Sequence, residues 1–198
     1  RMACPLAIVS GGRKITNCLP SGSACSVPDR CGERPELFGK TRTMADLSGL
    51  LMPERVLVGF DAKSKRQVLQ TLAEELAGSL GVEQDEILRA LLEREKLGTT
   101  GIGDGLAIPH AKLDGIDEVT GFFMRLSSPV DFDALDDQPV DMVFCLLAPC
   151  ESGAEHLKAL ARVARVFRDE DLCAKLRHAT SNSSAYALLV PSPASNAA

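Results

Sequence analysis

The stretch Asp141-Met142-Val143-Phe144-Cys145-Leu146-Leu147-Ala148 limits the fold most. It is apolar almost throughout, as a central strand covered on both faces is. Other segments must therefore supply two covering layers. Ser64-Lys65-Arg66-Gln67 reads as a helix-opening capping box, with Ser64 as N-cap and Gln67 three residues on. Leu69, Leu72, Ala73, Leu76, Ala77 and Leu80 then form one apolar stripe at helical spacing, and Gly81 stands where a glycine ends a helix. A second helix is predicted from Gln84 to Leu97, with Ile87, Leu88, Leu91 and Leu92 inward and Gly98 at its end. A third runs from Ala154 to Phe167, with Leu157, Leu160, Ala161, Ala164 and Phe167 inward. Asp169 caps a fourth, which carries Leu172, Cys173 and Leu176. Tyr186 to Val190 adds a last short element.

Further strands are expected at Val56–Phe60, Leu106–Ile108 and Val119–Leu126, and Asp131–Asp137 reads as a connection with an edge strand nearby. Helix pairs mixed with strands in this order predict an α/β sandwich with a mixed, parallel and antiparallel, central sheet flanked by helices. The strands do not alternate with single helices, so a doubly wound sheet fits less well. The chain has no Trp and one Tyr, so its core must be aliphatic with a few Phe.

Residues 1–43 differ from the rest of the chain. They are rich in Gly, Pro, Ser, Arg and Cys and carry no sustained period. They are read as an N-terminal extension, disordered or non-native, ahead of a domain over 44–190; residues 191–198 read as a flexible tail. No apolar run approaches the roughly 20 residues that span a bilayer, so no membrane insertion is expected. A net charge of −5 argues against nucleic acid as a partner. The seven Cys have irregular spacing and no CxxC pair, which fits reduced thiols in a cytoplasmic protein better than a disulfide framework or a zinc site.

Chemistry concentrates at Gly98-Thr99-Thr100-Gly101-Ile102-Gly103-Asp104-Gly105-Leu106-Ala107-Ile108-Pro109-His110. Backbone N–H groups of Gly101, Gly103 and Gly105 could approach a phosphate, with the hydroxyls of Thr99 and Thr100 as further donors. Pro109 fixes the backbone just before His110, and a neutral imidazole is a good nitrogen nucleophile near pH 7. The alternative is a pliable loop that ends in a structural His. The run is neither a dinucleotide fingerprint nor a P-loop. His156 lacks a metal-ligand spacing, and His178 suits its place late in a helix. Arg94 either complements the end of the second helix or reaches over to clamp a phosphate at His110.

Three blocks resemble one known family. They are Leu92-Glu93-Arg94-Glu95-Lys96-Leu97, then Thr99 through Ala111, then Glu155-His156-Leu157-Lys158-Ala159-Leu160-Ala161. Together they are similar to the enzyme IIA domain of the bacterial phosphotransferase system. The branch is the fructose–mannitol type, which includes nitrogen-regulatory IIA proteins. The resemblance spans about Met44 to Val190 and has no counterpart to the first segment. It implies that His110 is the phosphorylated residue, that His156 is its active-site neighbour, and that Arg94 contacts the phosphate. It implies an α/β sandwich, no cofactor and no metal. The implied donor is a histidine phosphocarrier protein (HPr or its nitrogen-related counterpart NPr). A IIB domain or regulated target proteins are the further partners.

Two outcomes remain open at this level: a regulatory IIA protein, and a free-standing sugar-specific IIA that relays phosphate to a IIB domain. The absence of a visible IIB, IIC or membrane segment favours the first. A hydrolase using His110 with Ser127 or Ser128 has little support, because no nucleophile elbow is present. Two further details are expected. One ring nitrogen of His110 should donate to a backbone carbonyl, and Ile102 and Leu106 should form an apolar collar for a partner.

Overall fold

The expected central strand runs from Val140 to Pro149 and serves two cores at once. Val143, Cys145 and Leu147 point into one apolar cluster, and Met142, Phe144 and Leu146 into another. This is the period of two of an extended chain, with both faces covered.

A computed structural model describes residues 46–191. The expected extension over 1–43 and tail residues 192–198 lie outside them. In chain order the elements are a 3-10 turn (Pro53–Arg55), β1 (Val56–Phe60), α1 (Lys65–Leu80), α2 (Gln84–Lys96), β2 (Gly101–Gly103), β3 (Leu106–Ala107), β4 (His110–Leu113), β5 (Thr120–Val130), β6 (Val140–Pro149), α3 (Gly153–Val166), α4 (Glu170–Arg177) and α5 (Asn182–Leu189). The sheet order is β1-β5-β6-β3-β2, with β4 also on β6. β1 is parallel to β5, and β5 is antiparallel to β6. β3 and β4 are both parallel to β6, and β2 is antiparallel to β3. The sheet is mixed, as expected. Helices α1 and α2 cover one face through Val68, Leu72, Leu76, Ile87 and Leu91. Helices α3, α4 and α5 cover the other through Val163, Leu176, Ala185 and Leu189.

β3 and β4 are two parts of one line. Leu106 lies opposite Met142 and His110 opposite Leu146, so the register is the same on both sides of Pro109. The ladder breaks where proline has no N–H to give and where the Ile108 N–H turns to the Thr100 carbonyl. His110 therefore opens a strand segment of its own, beyond the strand expected at Leu106–Ile108.

Three local readings change. The third helix buries His156, Ala159, Val163 and Val166, while Leu157 is 68% exposed. Of the residues expected inward, Leu160 and Ala164 pack against the core and Phe167 is buried, so the buried face is shifted toward His156 and away from Leu157. Asp131–Asp137 is the connection expected, with no strand of its own. The last element is a helix from Asn182, opened by a reciprocal Ser181–Ser184 capping box. At α1, Ser64 caps the Gln67 N–H as expected, but the Gln67 side chain accepts from the Lys63 N–H instead of the N-cap residue.

Candidate active site

Among the described residues β4 pairs only with β6, so its other edge is open to both helix layers. His110 shares a face with Leu146, toward α3. Arg94 comes from the opposite layer, at the end of α2, and wraps round that edge.

The imidazole is held at both nitrogens. Nδ1 lies 2.8 Å from the Ile108 carbonyl oxygen, and a carbonyl can only accept, so Nδ1 carries the proton. Nε2 is then the lone-pair nitrogen, and it accepts a 3.0 Å bond from Arg94 Nε–H. A second guanidinium nitrogen donates to the Gly98 carbonyl at 3.0 Å, closing the end of α2. Arg94 thus both finishes its helix and reaches the His110 ring. The carbonyl bond to His110, expected from the sequence, is present.

His156 sits in the first turn of α3, edge-on to His110, with ring centroids 5.5 Å apart and an interplanar angle of 60°. The side chain is buried, and among the described residues its Nε2 has no hydrogen-bond partner. Burial holds His110 below the ordinary histidine range; the Arg94 charge pushes the same way, while the Ile108 carbonyl and Glu95 oppose it. Burial also lowers His156, aided by His110, Lys112 and Arg94. Both rings are therefore biased toward neutrality, which a nitrogen nucleophile requires.

The glycine-rich run lies elsewhere. Asp104 and Gly105 both have positive φ and form the two-residue turn of a hairpin joining β2 to β3. A Cβ on Gly101 would lie 2.9 Å from Ala134 Cα. Gly103 borders the Asp136 carboxylate, and Gly105 borders Asp141 and Arg177. Thr99 Oγ1 donates to the Phe132 carbonyl, while the Thr100 N–H and hydroxyl both go to Glu95. The Gly101 N–H goes to Thr99 Oγ1. These donors are engaged away from His110, and carboxylates beside the glycines would repel a phosphate dianion. The cradle expected from Thr99, Thr100, Gly101, Gly103 and Gly105 is thus a packed hairpin, and the Asp104-Gly105 pair was the sequence signal for it.

Of the expected collar, Ile102 is 48% exposed but Leu106 is buried. Leu97 and Leu157 are exposed instead, each next to a site-bearing segment. Lys112 follows His110 on the same face of β4 and reaches the Cys150 carbonyl at 3.4 Å. His178 is exposed at the end of α4.

This chain belongs to the enzyme IIA family described as "Phosphoenolpyruvate-dependent sugar phosphotransferase system, EIIA 2", which matches residues 50–190. It is 46% identical over 151 residues to the nitrogen regulatory protein of Bradyrhizobium diazoefficiens, covering 76% of this chain and 99% of that one. Its fold matches the crystal structure of the nitrogen regulatory protein IIA-Ntr of Neisseria meningitidis with a TM-score of 0.68 and 32% identity, over 71% of this chain and 97% of that one. It also matches Escherichia coli enzyme IIA-mannitol, solved in complex with phosphorylated enzyme IIB-mannitol. There the TM-score is 0.61 with 25% identity, over 70% of this chain and 96% of that one. Among the described residues no helix is long and apolar enough to cross a membrane.

Proposed function

We propose that the protein is a phosphoryl carrier of the phosphotransferase system, acting in the cytoplasm as a nitrogen-regulatory IIA protein. The domain is residues 44–190, with 1–43 as an extension and 191–198 as a tail. The observation that carries this reading is the double grip on His110: Nδ1–H on the Ile108 carbonyl, with Nε2 presented to Arg94 beside His156.

A phosphohistidine of HPr or NPr approaches the open edge of β4. The Nε2 lone pair attacks phosphorus in line. The Nε2–P bond forms as the donor's N–P bond breaks, and that electron pair returns to the donor imidazole. Arg94 Nε–H occupies the lone pair at rest, so Arg94 must release it and turn to the phosphoryl oxygens. His156 Nε2, buried and without a partner among the described residues, offers those oxygens a further contact. The first turn of α3 adds a favourable field for the dianion. The His110 ring gains positive charge as it attacks, and the Ile108 carbonyl accepting from Nδ1–H stabilises it. Ile102, Leu97 and Leu157 form the apolar docking surface.

The test supplies phosphoenolpyruvate, the general phosphotransferase enzyme and HPr. Acid-labile label on the wild type and none on His110→Ala is the expected result; equal label on both contradicts it. A second reading, relay to a IIB domain, draws on the likeness to the mannitol IIA structure solved with phosphorylated IIB. Transfer of label to an added IIB domain favours that relay.

A further inference from the structure

Arg94 and Glu95 are consecutive at the end of α2, and both nitrogens of His110 lead back to them. Arg94 contacts Nε2 directly. The path from Nδ1 runs through two residues: Nδ1–H to the Ile108 carbonyl at 2.8 Å, then the Ile108 N–H to the Thr100 carbonyl at 2.9 Å. Glu95 then takes the Thr100 N–H at 3.0 Å and its hydroxyl at 2.6 Å. Lys65 Nζ lies 2.6 Å from the same Oε1 that accepts the Thr100 N–H. Lys65 in turn is held by the Phe132 carbonyl and Asp133.

We propose that Glu95 is a positioning residue for His110: by fixing Thr100 it aims the Ile108 carbonyl at Nδ1 and keeps the nucleophile's lone pair on Nε2. This rests on His110 being the phosphoryl acceptor. The next residue, Pro109, has no N–H, so the Thr100 carbonyl is what holds the Ile108 N–H where the ladder breaks. Thr100 is 3% exposed and the Glu95 side chain 9%, so water does not readily replace these bonds. A partly buried ion pair such as Lys65–Glu95 adds little stability over an apolar replacement. What it secures here is a position. The groups facing His110 are Arg94 and Glu95 from α2, His156 from α3 and Lys112 from β4, with Lys65 of α1 behind Glu95.

Nitrogen–proton correlation spectra of the 15N-labelled imidazoles in the full chain test this. The wild type should show a single Nδ1–H tautomer for His110. Glu95→Ala should show a tautomer mixture and lose about tenfold or more in kcat for phosphoryl acceptance, with KM little changed. Glu95→Gln keeps an acceptor for the Thr100 N–H, so it keeps the tautomer. It should nonetheless lower the titration midpoint of His110, because the carboxylate that favours the imidazolium is gone. Simple loosening of the scaffold would instead admit water and raise that midpoint. A folded Glu95→Ala with a pure Nδ1–H tautomer and an unchanged kcat overturns the proposal, as does a Glu95→Gln midpoint that stays put or rises. If Glu95→Ala does not fold, the Gln variant decides. These spectra need no phosphoryl donor, so a wild type that accepts no phosphate would overturn the carrier reading separately.

Discussion

The hairpin at Gly101–Ala107 and the edge at His110 are neighbours in sequence but are built in opposite ways. The hairpin is closed. Its glycines abut Ala134, Asp136 and the Asp141–Arg177 pair, and Arg177 also holds the Asp104 carbonyl. The edge is open, and its side chains come from three elements: Arg94 from α2, His110 from β4 and His156 from α3. Small residues serve packing in the first region; polar groups from three elements converge in the second. The glycine-rich lead-in to His110 is thus a packed hairpin and not an open loop.

The division can be broken from either side. Arg94→Ala should cut the rate of phosphoryl acceptance by about 10²–10³-fold with the fold intact, the usual cost of removing a group that meets developing charge. Rapid-quench measurement with phosphorylated HPr checks this, and a near-normal rate would return Arg94 to its helix-end role. Gly101→Val should destabilise by about 1–3 kcal/mol through overpacking against Ala134, read by denaturant unfolding. Its folded fraction should still accept phosphate at the normal rate. Loss of rate at full stability would mean that the hairpin does contact the phosphoryl group. His156→Ala should slow acceptance by roughly tenfold, in the range for one supporting acid–base or hydrogen-bonding group.

The smallest effect concerns pH. Burial lowers both His110 and His156, so between their folded values and about 6.5 the unfolded chain binds more protons than the folded one. Stability from this source is full above about 6.5 and is lost as pH falls through the lowered folded values. Thermal unfolding at pH 7 and pH 5 should show a smaller drop for His110→Ala than for the wild type.

Much of the layer order was legible because β6 is apolar on both faces and α1 carries a single stripe. The α3 rotation was not legible. Leu157 and Val163 are both apolar, so the pattern does not say which of them faces the core; Val163 is buried and Leu157 exposed. The β3–β4 line was half legible: His110-Ala111-Lys112-Leu113 alternates, but Pro109 masks its continuity with Leu106–Ala107. His110 and Arg94 stood out by type and setting. Glu95 did not, because among the charges Glu93-Arg94-Glu95-Lys96 nothing distinguishes the carboxylate that reaches Thr100 from one that faces solvent. Leu106 looked like surface beside the glycines and is core, since β3 lies between β2 and β6.

The central claim is that Nε2 of His110 takes the phosphoryl group while Nδ1 stays bonded to Ile108. Phosphorus and nitrogen NMR of the 15N-labelled protein, phosphorylated through HPr, tests it directly. The account predicts one phosphohistidine, with phosphorus coupled to His110 Nε2 and the proton kept on Nδ1. Phosphorus on Nδ1, or on His156, would contradict it.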